Sequence, residues 1–302
     1  MHTPPVVVST CNLTKRFRHV VAVDNLNLTI QAGEVVAYLG SNGAGKSTTF
    51  RLLLNIYRPS EGHAEILGRP CGKLDGPDFD KIAYIAEGLK IPSWMTVAQF
   101  VEYCSGFYSE WDNARLDALK ESLNIPFDRK LKHLSRGQRM KALFLSTLPS
   151  HPRILLLDEP FSGLDVETRA QVSGILRKLA KDDGLTSIIT THDVEEVEPL
   201  ATRLVVLREG RTVVDEPMAA FLSRHRAIVI PSPETQSIPP QELTFKPSSY
   251  WPGKHEGWVD CFDDQWESAF RQKHPELSDI QILPMNLRSI LVAKSLNIET
   301  RS

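Results

Sequence analysis

The sequence predicts an α/β fold: a mostly parallel sheet covered by helices on both faces, with a β-rich subdomain and a helical insertion, followed by a small α+β appendage. Three observations lead there. Short apolar and β-branched runs alternate with helical patterns between residues 153 and 207, as in strands joined by crossover helices. A glycine-rich turn separates the apolar run Val35–Leu39 from a helical pattern that opens at Lys46. Beyond these, Pro231–Pro240 holds four prolines in ten residues and sets off the end of the chain. A length of 302 residues suits two domains, or one with an appendage, at roughly 100–200 residues each.

Hydrophobic residues at 41% and charged residues at 24% are ordinary globular usage, which excludes a wholly disordered, collagen-like or coiled-coil chain. Thirty-five Lys and Arg against 37 Asp and Glu give a formal charge of -2, so no global field draws the chain to nucleic acid or acidic membranes. Four scattered cysteines, Cys11, Cys71, Cys104 and Cys261, form no CxxC pair and read as buried thiols of a reduced, cytosolic protein. The first residues lack a charged segment followed by an apolar core, and no apolar stretch approaches the ~20 residues of a membrane span.

Taken in order, residues 1–40 read as β-rich, with runs at Val20–Val23, Leu26–Ile30 and Val35–Leu39 around the turn Gln31-Ala32-Gly33. Lys46–Tyr57 is a predicted helix closed by Arg58-Pro59-Ser60. A strand at Ile82–Ala86 precedes a helical insertion over about 88–150, where Trp94–Tyr108 and Asn113–Leu123 space their apolar residues by three and four. Strand texture returns at Arg153–Leu157, Ser187–Thr190 and Leu204–Leu207, with helices at Val166–Lys181 and Asp193–Leu200. The expected domains are 1–224 and an accessory domain, 225–302, with a linker at 231–240. In the latter, Asp263–His274 reads as a helix, and Ile280–Leu283 and Ile290–Ala293 as packing segments. Trp251, Trp258 and Trp266 beside Lys254 and His255 have the makings of a base-stacking surface. Asp260, Asp263, Asp264 and Glu267 crowd the same stretch, so tryptophans buried in a small core are the expected arrangement.

Gly40-Ser41-Asn42-Gly43-Ala44-Gly45-Lys46-Ser47 fits G-x-x-x-x-G-K-[ST] between a predicted strand and helix, the mark of a P-loop NTPase. Glycines let successive N–H groups converge on a phosphate, and the helix start adds its positive end. Lys46 offers a compact charge to the β- and γ-phosphates and Ser47 a hydroxyl to Mg²⁺; Thr48 completes the nucleotide-binding set. Ile154–Leu157 then leads into Asp158 and Glu159. At the C-terminal edge of a parallel sheet these carboxylates face the phosphate loop. Asp158 is the expected Mg²⁺ holder, directly or through water, and Glu159 the base that orients and deprotonates the attacking water.

Five motifs in this order resemble the ATP-binding, or nucleotide-binding, subunits of ABC transporters over about Ser9–Met218. Leu134-Ser135-Arg136-Gly137-Gln138 resembles the family signature, with Arg136 in place of the usual glycine. Ser162-Gly163-Leu164-Asp165 resembles the D-loop, and Thr191-His192-Asp193 carries the switch histidine. Phe17 stands where the family places an aromatic that stacks on adenine. The resemblance implies an ATPase that uses ATP and Mg²⁺ and packs head to tail, as a homodimer or with a related ATPase. Ser135, Arg136, Gly137 and Gln138 then act in trans, His192 contacts the γ-phosphate, and Asp165 couples the two sites. It implies an integral-membrane permease on a separate chain, docked in a groove between the helical insertion and the Glu87 loop, and a place at the inner face of the cell membrane. No nucleic-acid partner is expected. Trp94–Val97, Phe107-Tyr108 and Trp111-Asp112 resemble a bacterial subgroup of single-domain exporter ATPases, although such aromatics also serve helix packing.

Three positions depart from the family pattern. Glu87 replaces glutamine and offers Mg²⁺ a charged oxygen, but while ionised it donates no hydrogen bond. Arg136 brings a cation near the partner's nucleotide or points to solvent. Ser41 replaces a common proline in a turn. A soluble ATPase acting on nucleic acid or the ribosome is the competing class, disfavoured by the lack of coiled-coil arms and of a basic surface signal. A regulatory nucleotide sensor is a third, disfavoured by the presence of Glu159.

Overall fold

The computed structural model describes residues 4–86, 88–192, 194–230, 244–245, 255–275 and 280–294. Glu87, Asp193, Trp251 and the proline-rich 231–240 segment lie outside them. The chain divides into two compact units, the first running to Asp215 and the second starting at Glu216.

In the first unit the strands are β1 (Val6–Phe17), β2 (Val20–Gln31), β3 (Val35–Gly40), β4 (Glu61–Ile66), β5 (Arg69–Pro70), β6 (Ile82–Ala86), β7 (Ile154–Asp158), β8 (Thr186–Thr191), β9 (Arg203–Arg208) and β10 (Arg211–Pro217). The helices are α1 (Lys46–Leu53), α2 (Gly76–Phe79), α3 (Val97–Ser105), α4 (Asn113–Leu123), α5 (Arg136–Leu145), α6 (Val166–Asp183) and α7 (Val194–Val197). One sheet has the order β2-β1-β4-β5, the other β10-β9-β3-β8-β7-β6. In the second, β9, β3, β8, β7 and β6 run parallel. Every residue of β3, β7 and β8 is buried, as befits inner strands of a parallel sheet covered on both faces.

Register decides what meets at the C-terminal edge. Ala86 lies opposite Asp158, Asp158 opposite Thr190, and Leu39 opposite Thr191. The ends of four strands are therefore level, and the loops that leave them open into one crevice.

Helix α1 is shorter than its sequence pattern. It stops at Leu53 because Asn55 takes a left-handed φ of 57°. The Ile56 N–H then donates to Arg51 O at 2.8 Å and the Asn55 N–H to Leu52 O at 3.1 Å, a Schellman closure that satisfies the last carbonyls. The short α7 likewise ends at Val197, before the expected Leu200. The strand at 6–17 has no clean alternation in the sequence, since its ladder to β2 shifts register between Thr10 and Leu13. Thr10 bridges that irregularity, donating to Leu26 O and accepting from the Leu28 N–H, each at 2.9 Å. Cys11 beside it is exposed, as is Cys261, so only part of the buried-thiol expectation holds; Cys71 is buried, which pushes its thiol up to about 12.

The second unit carries α8 (Met218–Ser223), β11 (Arg226–Ile230), β12 (Thr244–Phe245), β13 (His255–Val259), α9 (Asp264–Lys273), β14 (Gln281–Pro284) and α10 (Leu287–Ala293). Its antiparallel sheet has the order β12-β13-β11-β14. Ile228, Val259, Phe270 and Ile280 form its core, with Trp266 stacked on Phe270 at 4.8 Å. Trp258 and Trp266 are half-buried rather than enclosed. Among the described residues no helix is long and apolar enough to cross a membrane.

In the first unit one core spans both sheets, with α1 between them. Phe50, 1% exposed, stacks on Tyr38 at 6.1 Å and meets Tyr84 edge-on at 6.4 Å. Replacing it by alanine leaves a cavity directly behind the phosphate loop. Phe50→Ala is expected to lower stability by about 3–5 kcal/mol, read as a fall in the urea midpoint at unchanged slope.

Candidate functional site

The loop from Gly40 to Gly45 is held from outside as well as by its own turn. Gly45, the α1 N-cap, has φ 104°, and a Cβ there would lie 2.3 Å from the Ala22 carbonyl oxygen. A Cβ on Gly40 would come within 2.7 Å of Leu207 O. Ala44 O accepts the Gly210 N–H at 3.1 Å, and Gly210 O accepts the Asp24 N–H at 2.9 Å. The β-rich sheet and the β9–β10 turn thus clamp the loop. Gly43 supplies a φ of 82°, and Asn42 beside it is exposed.

Lys46 is buried, and its ammonium donates to Gly40 O at 2.7 Å and Ser41 O at 3.3 Å. Burial pulls its pKa down, opposed by the charges of Glu159 and Asp158. Ser47 and Thr48 are half-buried in the first turn of α1, where unpaired N–H groups and the helix dipole favour an anion.

The acidic strand end is organised by Thr190. Its hydroxyl donates to Asp158 Oδ1 at 2.7 Å and accepts the Glu159 N–H at 3.1 Å. Asp158 Oδ2 receives only a long contact, 3.5 Å, from the Tyr84 hydroxyl. Burial and the Asp158 charge raise that hydroxyl to about 12, so it stays protonated. Glu159 turns out of the sheet with φ 55°. Its Oε2 meets His192 Nδ1 at 2.7 Å and accepts the His192 N–H at 3.2 Å. His192, the residue that follows β8, is exposed. Asp158 and the Ser47 hydroxyl are hard oxygen donors, the set that suits Mg²⁺ shared with a phosphate.

Phe17, 39% exposed, meets Tyr57 edge-on at 5.3 Å, with Lys15 Nζ 5.0 Å from its ring. On the helical insertion, Ser135 caps α5 in a reciprocal box: its hydroxyl accepts the Gln138 N–H and its N–H donates to Gln138 Oε1, both at 3.2 Å. Gly137 is buried against Thr168, whose Oγ1 would lie 3.1 Å from an added Cβ. Asp165 caps α6, accepting from Thr168 N at 2.8 Å and Thr168 Oγ1 at 3.0 Å. Those bonds hold its carboxyl below the usual range. A groove of about 270 Å³ runs past Leu89, Ile91, Arg136, Arg139 and Leu164.

The chain matches the ABC transporter family model over residues 23–162. It is 33% identical over 220 residues to the aliphatic sulfonates import ATP-binding protein SsuB 1 of Burkholderia lata, covering 73% of this chain and 67% of that protein. It is 32% identical over 209 residues to the SkfA peptide export ATP-binding protein SkfE of Bacillus subtilis, covering 68% and 86%. The chain belongs to the ATP-binding subunits of ABC transporters. A solved dimeric structure of the ATP-binding cassette MJ0796 in a post-hydrolysis state, bound to ADP and Pi, aligns with a TM-score of 0.64 at 26% identity, over 70% of this chain and 98% of that one.

As a member of that family this ABC subunit binds and hydrolyses ATP, and such subunits dimerise and work with membrane permeases. Its sequence pointed to Lys46, Asp158, Glu159 and His192, and the register gathers them at one sheet edge. Thr190, Tyr84, Tyr57 and Thr168 were missed; the β-branched texture of β8 marks Thr190 only as a strand residue. Arg136 is exposed, with its stem against Gly163 of its own chain.

Two outcomes follow from this geometry. Gly45→Ala drives a methyl into the Ala22 carbonyl, so nucleotide affinity is expected to fall at least about a hundredfold, by titration with a fluorescent ATP analogue. Thr190→Val strands an Asp158 oxygen and the Glu159 N–H, at a cost of about 1–3 kcal/mol each. A lowered melting temperature and a lowered kcat should appear together.

Proposed function

We propose that this ABC subunit hydrolyses ATP in a head-to-tail dimer and drives a permease carried on a separate chain, from the cytoplasmic face of the membrane. The observation that carries the reading is the Glu159 carboxylate, fixed by both the ring and the backbone of His192 beside a loop that buries Lys46. Gly40–Thr48 would cradle the triphosphate, and Phe17 would stack on the adenine. Ser47 and Asp158 would hold Mg²⁺, with Glu87 as a further oxygen donor. Bound there, the metal neutralises charge developing on the β- and γ-phosphates.

Glu159 takes the proton of the attacking water, since it is held within reach of the crevice and already has one oxygen oriented. His192 would contact the γ-phosphate. From the opposite copy, Ser135, Arg136, Gly137 and Gln138 approach the same phosphate. The Ser135 hydroxyl accepts from Gln138 N through a lone pair, which leaves its own proton to donate. Asp165 of each copy lies at the seam. The groove beside Arg136 would receive a helix of the permease. The resemblance at Trp94–Val97 makes export the proposed direction, and SkfE, a peptide exporter's subunit, is a relative of that kind.

The test is Glu159→Gln, which keeps the shape and removes the base. Hydrolysis is expected to fall by about 10²–10⁴-fold while an ATP-bound dimer accumulates in size-exclusion chromatography. Equal turnover in both forms would sink the assignment of Glu159.

A further inference from the structure

Phe17 is the last residue of β1, paired with Val20 across a two-residue turn, and a hairpin tip alone fixes an aromatic ring poorly. Two further side chains hold it. Tyr57 meets the ring at 74° with centroids 5.3 Å apart. Lys15 Nζ lies over the same ring at 5.0 Å, and 5.7 Å from the centroid of Tyr57. These three nearly equal separations form a triangle, so the ammonium and the tyrosine cannot lie on opposite faces of Phe17. One face is therefore free of both, on a ring that is 39% exposed.

Tyr57 is itself anchored to α1. Its N–H donates to Arg51 O at 3.0 Å, the Arg51 guanidinium lies 5.7 Å from its ring, and the ring packs on the core of the first unit. Lys15 stitches the same segment to β1, donating to Arg58 O at 2.7 Å. Two residues on, the Ser60 N–H donates to Thr14 O at 2.7 Å. Since α1 opens at Lys46, the segment that carries Tyr57 is referenced to the phosphate loop through one short helix. We infer that Tyr57 and Lys15 are positioning residues for the nucleotide base, which hold Phe17 with one face presented at a set reach from that loop. The inference rests on the reading that Phe17 stacks on the adenine. An edge-to-face pair resists rotation of either ring, and a cation is held over a ring by its quadrupole. A base that stacks on the remaining face meets a ring already oriented, so less ordering is left to oppose binding.

The experiment uses the full chain with Mg²⁺ and compares ADP with inorganic pyrophosphate by calorimetry, since both carry the phosphates and only ADP carries a base. Tyr57→Leu is expected to weaken ADP binding about three- to tenfold. Lys15→Met, which keeps the stem without the charge, should weaken it about two- to fivefold. Pyrophosphate affinity should move by less than about twofold in either variant. In turnover, KM for ATP is expected to rise by similar factors while kcat stays within about twofold. Tyr57→Phe keeps the ring and should restore wild-type values. In a Phe17→Ala background neither change should weaken ADP binding further. Wild-type ADP affinity in either Tyr57→Leu or Lys15→Met overturns the proposal. So does an equal loss of ADP and pyrophosphate binding, which would place the effect in the phosphate loop. If Phe17→Ala itself binds ADP as wild type does, the adenine reading fails and this inference with it. Weakened binding in Phe17→Ala beside wild-type binding in Tyr57→Leu removes this inference only.

Discussion

The Thr190 hydroxyl gives its proton to Asp158 and accepts the Glu159 amide, and these two bonds at one oxygen decide what each neighbouring carboxylate faces. Asp158 stays in line with its strand, buried, one oxygen held and the other turned to Tyr84. Glu159 leaves the sheet in a left-handed turn, a conformation that costs a residue of this kind about 1–2 kcal/mol. Hydrogen bonds to Glu159 from His192 and through Thr190 offset that strain. Two adjacent residues of one chemistry thus acquire different tasks: the first suits a metal, the second a water. Without the strand register that sets Thr190 opposite Asp158, the two would be an acidic pair at the mouth of a turn.

Lys46 poses the converse problem, a cation withdrawn from water. Burial alone favours its neutral form, and the fold counters with two backbone carbonyls and the nearby charges of Asp158 and Glu159. The phosphate loop owes its shape less to its own sequence than to its clamps. Ala22 fills the space a side chain at Gly45 would need, and Gly210 links the loop to β2. The β-rich sheet, which contributes none of the carboxylates, is therefore part of the machinery that positions the lysine.

What was legible in the sequence was local or covalently short. The phosphate loop is one continuous stretch, and the two carboxylates follow a strand whose apolar run is unmistakable. Ser135, Gln138 and Asp165 were legible as parts of short continuous motifs, and the structure adds that Ser135 and Asp165 cap α5 and α6. The missing parts all come from pairing across the fold. Thr190 and Tyr84 matter only through register, and Tyr57 only because a helix ends early at an asparagine that adopts a left-handed turn. The first strand was hidden for a related reason: its register shifts near Asn12 break the two-residue period that marks a strand.

Signature and D-loop were read as separate motifs, and the structure joins them in one body. The starts of α5 and α6 touch where Gly137 meets Thr168, and an added methyl there would press on a threonine already committed to Asp165. Glycine at 137 lets α6 approach α5, and under the proposed function it would also let backbone approach a phosphate. In the head-to-tail arrangement proposed above, a γ-phosphate that draws Ser135 toward it must carry Gly137 and Thr168 along, and Asp165 with them. The path from one nucleotide to the opposite site would then run through the contacts of Gly137, Thr168 and Asp165. Close packing transmits such displacements, so in that arrangement loss of the γ-phosphate at one site would be felt at the other as a shift of Asp165.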